Sequence, residues 1–177
     1  MARAEDARGR RAVRGRAGDR TLRAEHRALL PEVESLTVTA ESLDSWDPEV
    51  TPSRLAGKVA FLRGQLVPHA EAEEAVLYPA VEEAMGSPAA MATMVADHVE
   101  IVRRIELLAE MTAETGTGPP GPQACNALRR QLFGLYAILR LHFDKAEGIL
   151  LPELDARLSP QEAEALFGRM GAAAHRP

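Results

Sequence analysis

The sequence predicts an all-α protein: an up-down-up-down four-helix bundle with a short fifth helix at its C-terminal end. Two observations predict it. Apolar residues recur at alternating spacings of four and three, the pattern of a helix that buries one stripe. The chain is 46% hydrophobic but only 4% aromatic, and Ala and Leu dominate, which suits packed helices better than a sheet. Convincing strand alternation is not found, nor a nucleotide loop of the GxxxxGK type.

The first helix is expected over 19–43, with the seam Leu22, His26, Leu29, Val33, Leu36, Ala40, Leu43. Pro31 should kink it one turn beyond His26. Residues 44–52 carry Asp-Pro and Thr-Pro steps and read as a connection. The second helix covers 53–85. Its seam is Leu55, Val59, Leu62, Leu66, His69, Glu73, Val76, Ala80, with bends expected at Pro68 and Pro79. Gly86-Ser87-Pro88 ends it. The third covers 89–112 with the seam Met91, Met94, His98, Val102, Ile105, Leu108. The run 115–122 (TGTGPPGP) is a loop by composition. The fourth covers 123–155 with the seam Leu128, Leu132, Leu135, Leu139, His142, Ala146, Ile149. The fifth starts at Ser159, where Ser159, Pro160 and Glu162 make a capping box. The domain plan is therefore a disordered arm over 1–18, a bundle over 19–156, and a short capping helix and tail over 157–177.

The length, 177 residues, is enough for one domain with a substantial core. Net charge is −5, unevenly spread. Residues 1–20 hold seven arginines against Glu5, Asp6 and Asp19, so the body is acidic and offers no footprint for nucleic acid. The arm reads as a solvated tail. An uninterrupted apolar stretch of about 20 residues is lacking, so no membrane span is expected. The charged start has no apolar core and does not read as a secretory signal. One cysteine, Cys125, fits a reducing cytoplasm.

Histidines carry the functional signal. His26, His69, His98 and His142 sit one per helix on the apolar seam. A single buried imidazole is commonly a satisfied core residue. If about two positions in seven face inward, four such placements arise by chance with a probability on the order of 1%. Their heights also agree. His26 and His98 lie in the first halves of their helices, His69 and His142 in the second halves, so an antiparallel bundle brings them to one level. Glu73 follows His69 by one turn on the same face. Glu147 follows His142 by five residues, at the edge of the seam, where it can still bridge inward. Imidazole and carboxylate together suit iron, manganese or zinc more than calcium or magnesium.

A lone histidine, then HxxxE (His69, Glu73), a histidine (His98), and HxxxxE (His142, Glu147) make a pattern that resembles the hemerythrin-like, or HHE cation-binding, domain. The phrase HAEAEEAVLYP and its echo HFDKAEGILLP are similar to the two long ligand-bearing helices of that family. The resemblance covers about residues 20–155. It implies a non-haem di-iron centre with oxo and carboxylate bridges, two iron ions per chain, Glu73 and Glu147 bridging, and His26, His69, His98 and His142 as terminal ligands. No separate catalytic side chain is assigned.

One departure stands out. Oxygen-carrying members have a second histidine one turn along the third helix. Here Met94 and Val102 flank His98, so one ion is left with an open position. That argues against simple reversible oxygen carriage and for reaction with oxygen, peroxide or nitric oxide, with weak turnover, detoxification or sensing as the outcome. Glu74 and Glu100 lie close in sequence and are the candidate substitute ligands. The alternative is a helical interaction module, with zinc or no metal, that recruits a protein partner. A di-iron oxygenase is weaker, since its ExxH pairs are missing here.

Overall fold

The computed structural model describes residues 17–115 and 120–174. The arginine-rich arm lies outside the described residues as far as residue 16, as do the centre of the 115–122 loop and residues 175–177. Five long helices are found among the described residues, with one short 3-10 turn at Leu43–Ser45. Helix α1 is Ala17–Ser42; α2 spans 51–85, α3 is Ala92–Glu114, α4 spans 122–157, and α5 is Pro160–Ala174. None of the helices is long and apolar enough to cross a membrane.

Polar contacts fix how the helices pair. Lys58 near the start of α2 reaches Glu32 (2.7 Å), and farther along α2 His69 meets Glu25 nearer the start of α1 (3.1 Å). Arg63 reaches Glu106 on α3, while Glu74 reaches the earlier residue His98. Gln131 of α4 donates to the Arg104 carbonyl (2.6 Å), and His142 meets Asp97. Arg129 at the start of α4 ties to the end of α1, through the Ala40 carbonyl and Asp44. Each of these pairs runs antiparallel.

The buried apolar residues form two clusters, and the four seam histidines lie between them. On α1, Leu22 belongs to one cluster and Leu29 to the other, with His26 between. On α2 the same order is Leu66, His69, Ala72; on α3, Met94, His98, Ile101; on α4, Leu139, His142, Ala146. A polar layer is thus sealed above and below by leucine-rich packing. Helix α5 closes the shorter side through Ala163, Leu166, Phe167 and Met170. Its capping box forms as the sequence predicts: the Ser159 amide donates to Glu162 (2.8 Å) and the Glu162 amide to the Ser159 hydroxyl (3.3 Å).

Two long helices depart from the α-helical count. Helix α2 widens into π turns at Leu62–Leu66 and Glu73–Leu77, and α4 does so at Ala146–Leu150. Each π turn ends two residues before a proline: Pro68, Pro79 or Pro152. A proline lacks the amide hydrogen, and its ring presses on the carbonyl four residues back. Widening the preceding turn moves that carbonyl aside. The residue before each proline closes the wide turn, with amides of Val67, Tyr78 and Leu151 donating to Leu62, Glu73 and Ala146. Pro31, in contrast, lies within one unbroken α1. Gly86 ends α2 at φ 65°, and Ser87 and Gly86 donate back to Glu82 and Glu83 (both 3.1 Å), a closure that needs the left-handed conformation.

The π turns shift the seams. The sequence places Val76, Ala80 and Ile149 inward. Instead Leu77, Tyr78 and Val81 are buried on α2, and Leu150, Leu151 and Leu154 on α4, while Ile149 is 64% exposed. Adding one residue to a turn rotates all that follows by about 100°. Leu150→Asp is therefore expected to cost more than about 3 kcal/mol, since it buries an unpaired carboxylate. Ile149→Asp should stay within about 0.5 kcal/mol of wild type. Urea unfolding of the two variants reads the difference, and equal losses would refute the shifted register.

Candidate metal centre

Glu73 is the hub of the polar layer and is wholly buried. Its Oε1 faces His26 Nε2 (3.7 Å) and His69 Nε2 (3.6 Å). Its Oε2 faces His98 Nε2 (3.2 Å) and His142 Nε2 (3.4 Å). Two triads result, His26–His69–Glu73 and Glu73–His98–His142, each with ligand-type atoms within 4.8 Å of one another. They share one carboxylate and take one oxygen each. Nitrogens and oxygens about 2.1 Å from one ion lie about 3–3.5 Å apart, and these spacings fall in or near that range.

The four imidazoles are all oriented by the same device. The Nδ1 atoms of His26, His69, His98 and His142 meet Glu147 (3.2 Å), Glu25 (3.1 Å), Glu74 (2.8 Å) and Asp97 (3.3 Å). A carboxylate at Nδ1 keeps the proton there and leaves the Nε2 lone pair facing the centre, the usual support for a metal-ligating histidine. Glu147 is in turn held by Arg23 (3.0 Å), and Asp97 by Lys145.

The residues fit a metal by a direct test. His26 Nε2, His69 Nε2 and Glu73 Oε1 are buried and have no hydrogen-bond partner. Orphaned polar atoms are costly, and here three converge on one point. In the other triad His98 Nε2 and His142 Nε2 stand 3.1 Å apart. Two lone pairs at that distance repel unless a cation or a proton sits between them.

Electrostatics follow from this crowding. Burial pushes the Glu73 carboxyl up, but the imidazoles of His142, His26, His98 and His69 outweigh it and hold the group well below its ordinary range. Burial also opposes charge on His98, yet Glu73 and then Glu74 raise it above the ordinary 6.5. The signs give a pH prediction for metal-free protein. His98 contributes stability that is full below about 6.5 and is lost as pH rises through its raised value. Glu73 contributes stability that is full above about 4.5 and is lost only as pH falls through its depressed value. Metal-free protein should therefore melt higher at about pH 6 than at about pH 8.5. Metal-loaded protein should show the reverse, because protons compete for Nε2. Calorimetry at the two pH values checks both; a metal-free protein more stable at the higher pH would contradict the His98 assignment.

Of the six residues singled out from sequence, five meet at the centre and one does not. Glu147 lies behind His26, its side chain 33% exposed, because Ala146, fully buried, takes the inward position at the start of the π turn. Val102 also turns away: it is 38% exposed, and Ile101 follows His98 on the seam. Glu100 is bound to Arg103 and Arg104 (both 2.7 Å), and those partners, Arg103 foremost, take its pKa down to about 2. Glu74 orients His98 rather than facing the centre.

Glu25, Asp97 and Tyr78 join the centre without lying on the expected seams. Glu25 and Asp97 each immediately precede a seam histidine, and an acid in that place was the available signal. Tyr78 is buried, and its hydroxyl donates to Glu73 Oε2 (3.1 Å) and lies 3.2 Å from His98 Nε2. Burial first, then Glu73, raises its pKa further above the ordinary phenol value. Phe143 stacks on His26 at 4.3 Å and shields the first triad. A cavity of about 360 Å³, lined by Glu25, Gly64, Gln65 and His69 among others, opens beside that triad.

Comparison with known proteins agrees with this chemistry. The family model described as the hemerythrin HHE cation-binding domain matches residues 17–154. The iron-sulfur cluster repair protein YtfE of Cronobacter sakazakii is 30% identical over 116 residues, 64% of this chain and 51% of that protein. The iron-sulfur cluster repair protein DnrN of Neisseria gonorrhoeae is 30% identical over 124 residues, 69% of this chain and 74% of that one. YtfE of Escherichia coli O157:H7 is 28% identical over 134 residues, 73% and 59% of the two chains. The chain thus spans about half the length of the YtfE proteins it matches. No solved structure matches it.

Proposed function

Because the chain belongs to the hemerythrin family of HHE cation-binding domains, we propose that it is a non-haem di-iron protein of oxidant or nitric oxide defence, in the service of iron-sulfur cluster repair. The shared buried carboxylate carries this reading. Glu73 offers one oxygen to each of two imidazole pairs, the geometry of a bridge between two cations. His26 and His69 would hold one iron, His98 and His142 the other. Reduced iron held there would supply the electrons for reaction with oxygen, peroxide or nitric oxide.

The chain's own groups do the rest. Four outer carboxylates orient the imidazoles. Phe143 and the leucines above and below exclude water. Tyr78 places a hydroxyl proton at the Glu73 oxygen of the second triad. Each triad, His26–His69–Glu73 and Glu73–His98–His142, would supply three ligands to an ion, which would leave room for a small ligand to bind. The repair role comes from the names of the relatives, and the cytoplasm, where the half-buried Cys125 stays reduced, is the compartment proposed.

The test is iron analysis of protein produced with iron, followed by anaerobic titration with oxygen, peroxide and nitric oxide. About two irons per chain and an oxo-to-iron absorption band are expected. One metal per chain in a fully loaded preparation, or zinc alone from iron-rich growth, would reject it.

A further inference from the structure

The centre repeats itself about an approximate twofold axis, and the repeat breaks in one informative place. Laying HAEAEEAVLYP over HFDKAEGILLP sets His69 on His142, Glu74 on Glu147 and Pro79 on Pro152. The π turns begin at matching positions, Glu73 and Ala146. Outer contacts obey the same symmetry. Glu74 meets His98 Nδ1 as Glu147 meets His26 Nδ1. Glu25, just before His26, meets His69 as Asp97, just before His98, meets His142. The inward position differs: Glu73 faces the centre from one side, and a methyl group, Ala146, from the other.

Resting on the iron-site reading above, we propose that Glu147 is a positioning residue for His26, the counterpart of Glu74 behind His98, and that the centre has one bridging carboxylate, Glu73. Ala146 stands where a second bridge would be. Both oxygens of Glu147 are already engaged, Oε1 by His26 and Oε2 by Arg23. Arg23 is itself fixed by the helix. The Leu151 amide donates to Ala146, and Pro152 has no amide hydrogen. Neither residue therefore serves the Glu147 carbonyl, and the second guanidinium nitrogen of Arg23 does so instead (3.1 Å). Turning Glu147 inward would break the Arg23 contact and leave the His26 Nδ1 hydrogen without its acceptor. Glu74 does the equivalent work with a half-exposed side chain, and Glu147 matches it in exposure far better than it matches the wholly buried Glu73.

The experiment asks which glutamate Glu147 follows. Glu147→Gln, Glu74→Gln and Glu73→Gln are loaded with iron, and iron per chain and affinity against a chelator are measured. Glu147→Gln and Glu74→Gln should keep the wild-type stoichiometry and lose about 10- to 100-fold in affinity, the range for outer partners of metal-bound histidine. Glu73→Gln should lose stoichiometry. Glu147→Gln tracking Glu73→Gln would overturn the proposal. Nitrogen-15 NMR of metal-free protein gives a readout without iron. Glu147→Ala should disturb the Nδ1-protonated tautomer of His26, and Glu74→Ala that of His98. An unchanged His26 tautomer in Glu147→Ala would also overturn it. If wild type takes up no iron pair, the functional reading falls while the NMR comparison still decides the role of Glu147.

Discussion

On the proposed di-iron reading, Glu73→Ala is expected to strip the protein of both ions. Each oxygen of this carboxylate completes one triad, so its loss leaves two bare imidazole pairs and no carboxylate facing the ions they would hold. Removing an outer partner costs about 10- to 100-fold in affinity, and an inner ligand shared by two ions must cost more. Iron per chain should fall below about a tenth of wild type under conditions where Glu74→Ala remains loaded. Metal analysis after gel filtration reads both variants. A Glu73→Ala protein that still holds one iron per chain would show that the carboxylate serves a single ion. The metal-free variant carries a second signature. Glu73 is the main group raising His98, so His98 should titrate lower in Glu73→Ala, and the stability advantage at about pH 6 should shrink.

Removing iron from wild type is expected to lower its melting temperature by roughly 8–16 °C. A ligand present at a thousand times its dissociation constant stabilises the fold by about 4 kcal/mol. In a chain of this size each kcal/mol moves the midpoint by about 2–4 °C. The physical source of the gain is visible in the layer itself. Metal-free protein keeps three orphaned ligand atoms at one point and two facing nitrogens at another, and an ion relieves each. Thermal melts before and after chelation under anaerobic conditions test it. A shift below about 2 °C would mean that the layer is satisfied without metal.

Much of this was legible in the sequence, for identifiable reasons. Leucine spacing fixes the seams of α1 and α4 up to His142, and of α2 up to Glu73, because an unbroken α-helix repeats with one period. Those seams carry the four histidines and Glu73, hence most of the centre. The departures have separate causes. Val102 falls inward only if a second step of four follows Met94 and His98, whereas the alternation requires a step of three, to Ile101. Ile149 and Val76 were misplaced because a helical wheel has no provision for a wide turn. The resemblance implies a bridge at Glu147, on the edge of the seam; the structure sets Ala146 inward there and Glu147 at His26 Nδ1. Glu25 and Asp97 sit about 100° from their own seams and so look solvated in a single-helix reading. Each faces the neighbouring helix, and only the assembled bundle shows that neighbour.

The three wide turns also set what kinds of change these helices accept. A substitution at Ile149 alters a side chain in solvent and leaves the phase of the helix intact. Losing a single residue between Glu73 and Tyr78 is a different event. It would return the segment to ordinary α-helical count while Tyr78, Val81 and all that follows kept their facing, because the wide turn takes up the one extra residue. The cost would fall on Pro79, whose ring would press on the carbonyl that the wide turn had moved aside. A residue lost elsewhere in α2, with the wide turn kept, would instead swing all that follows by about 100°, so across homologous chains single deletions should fall within the wide turns rather than beside them.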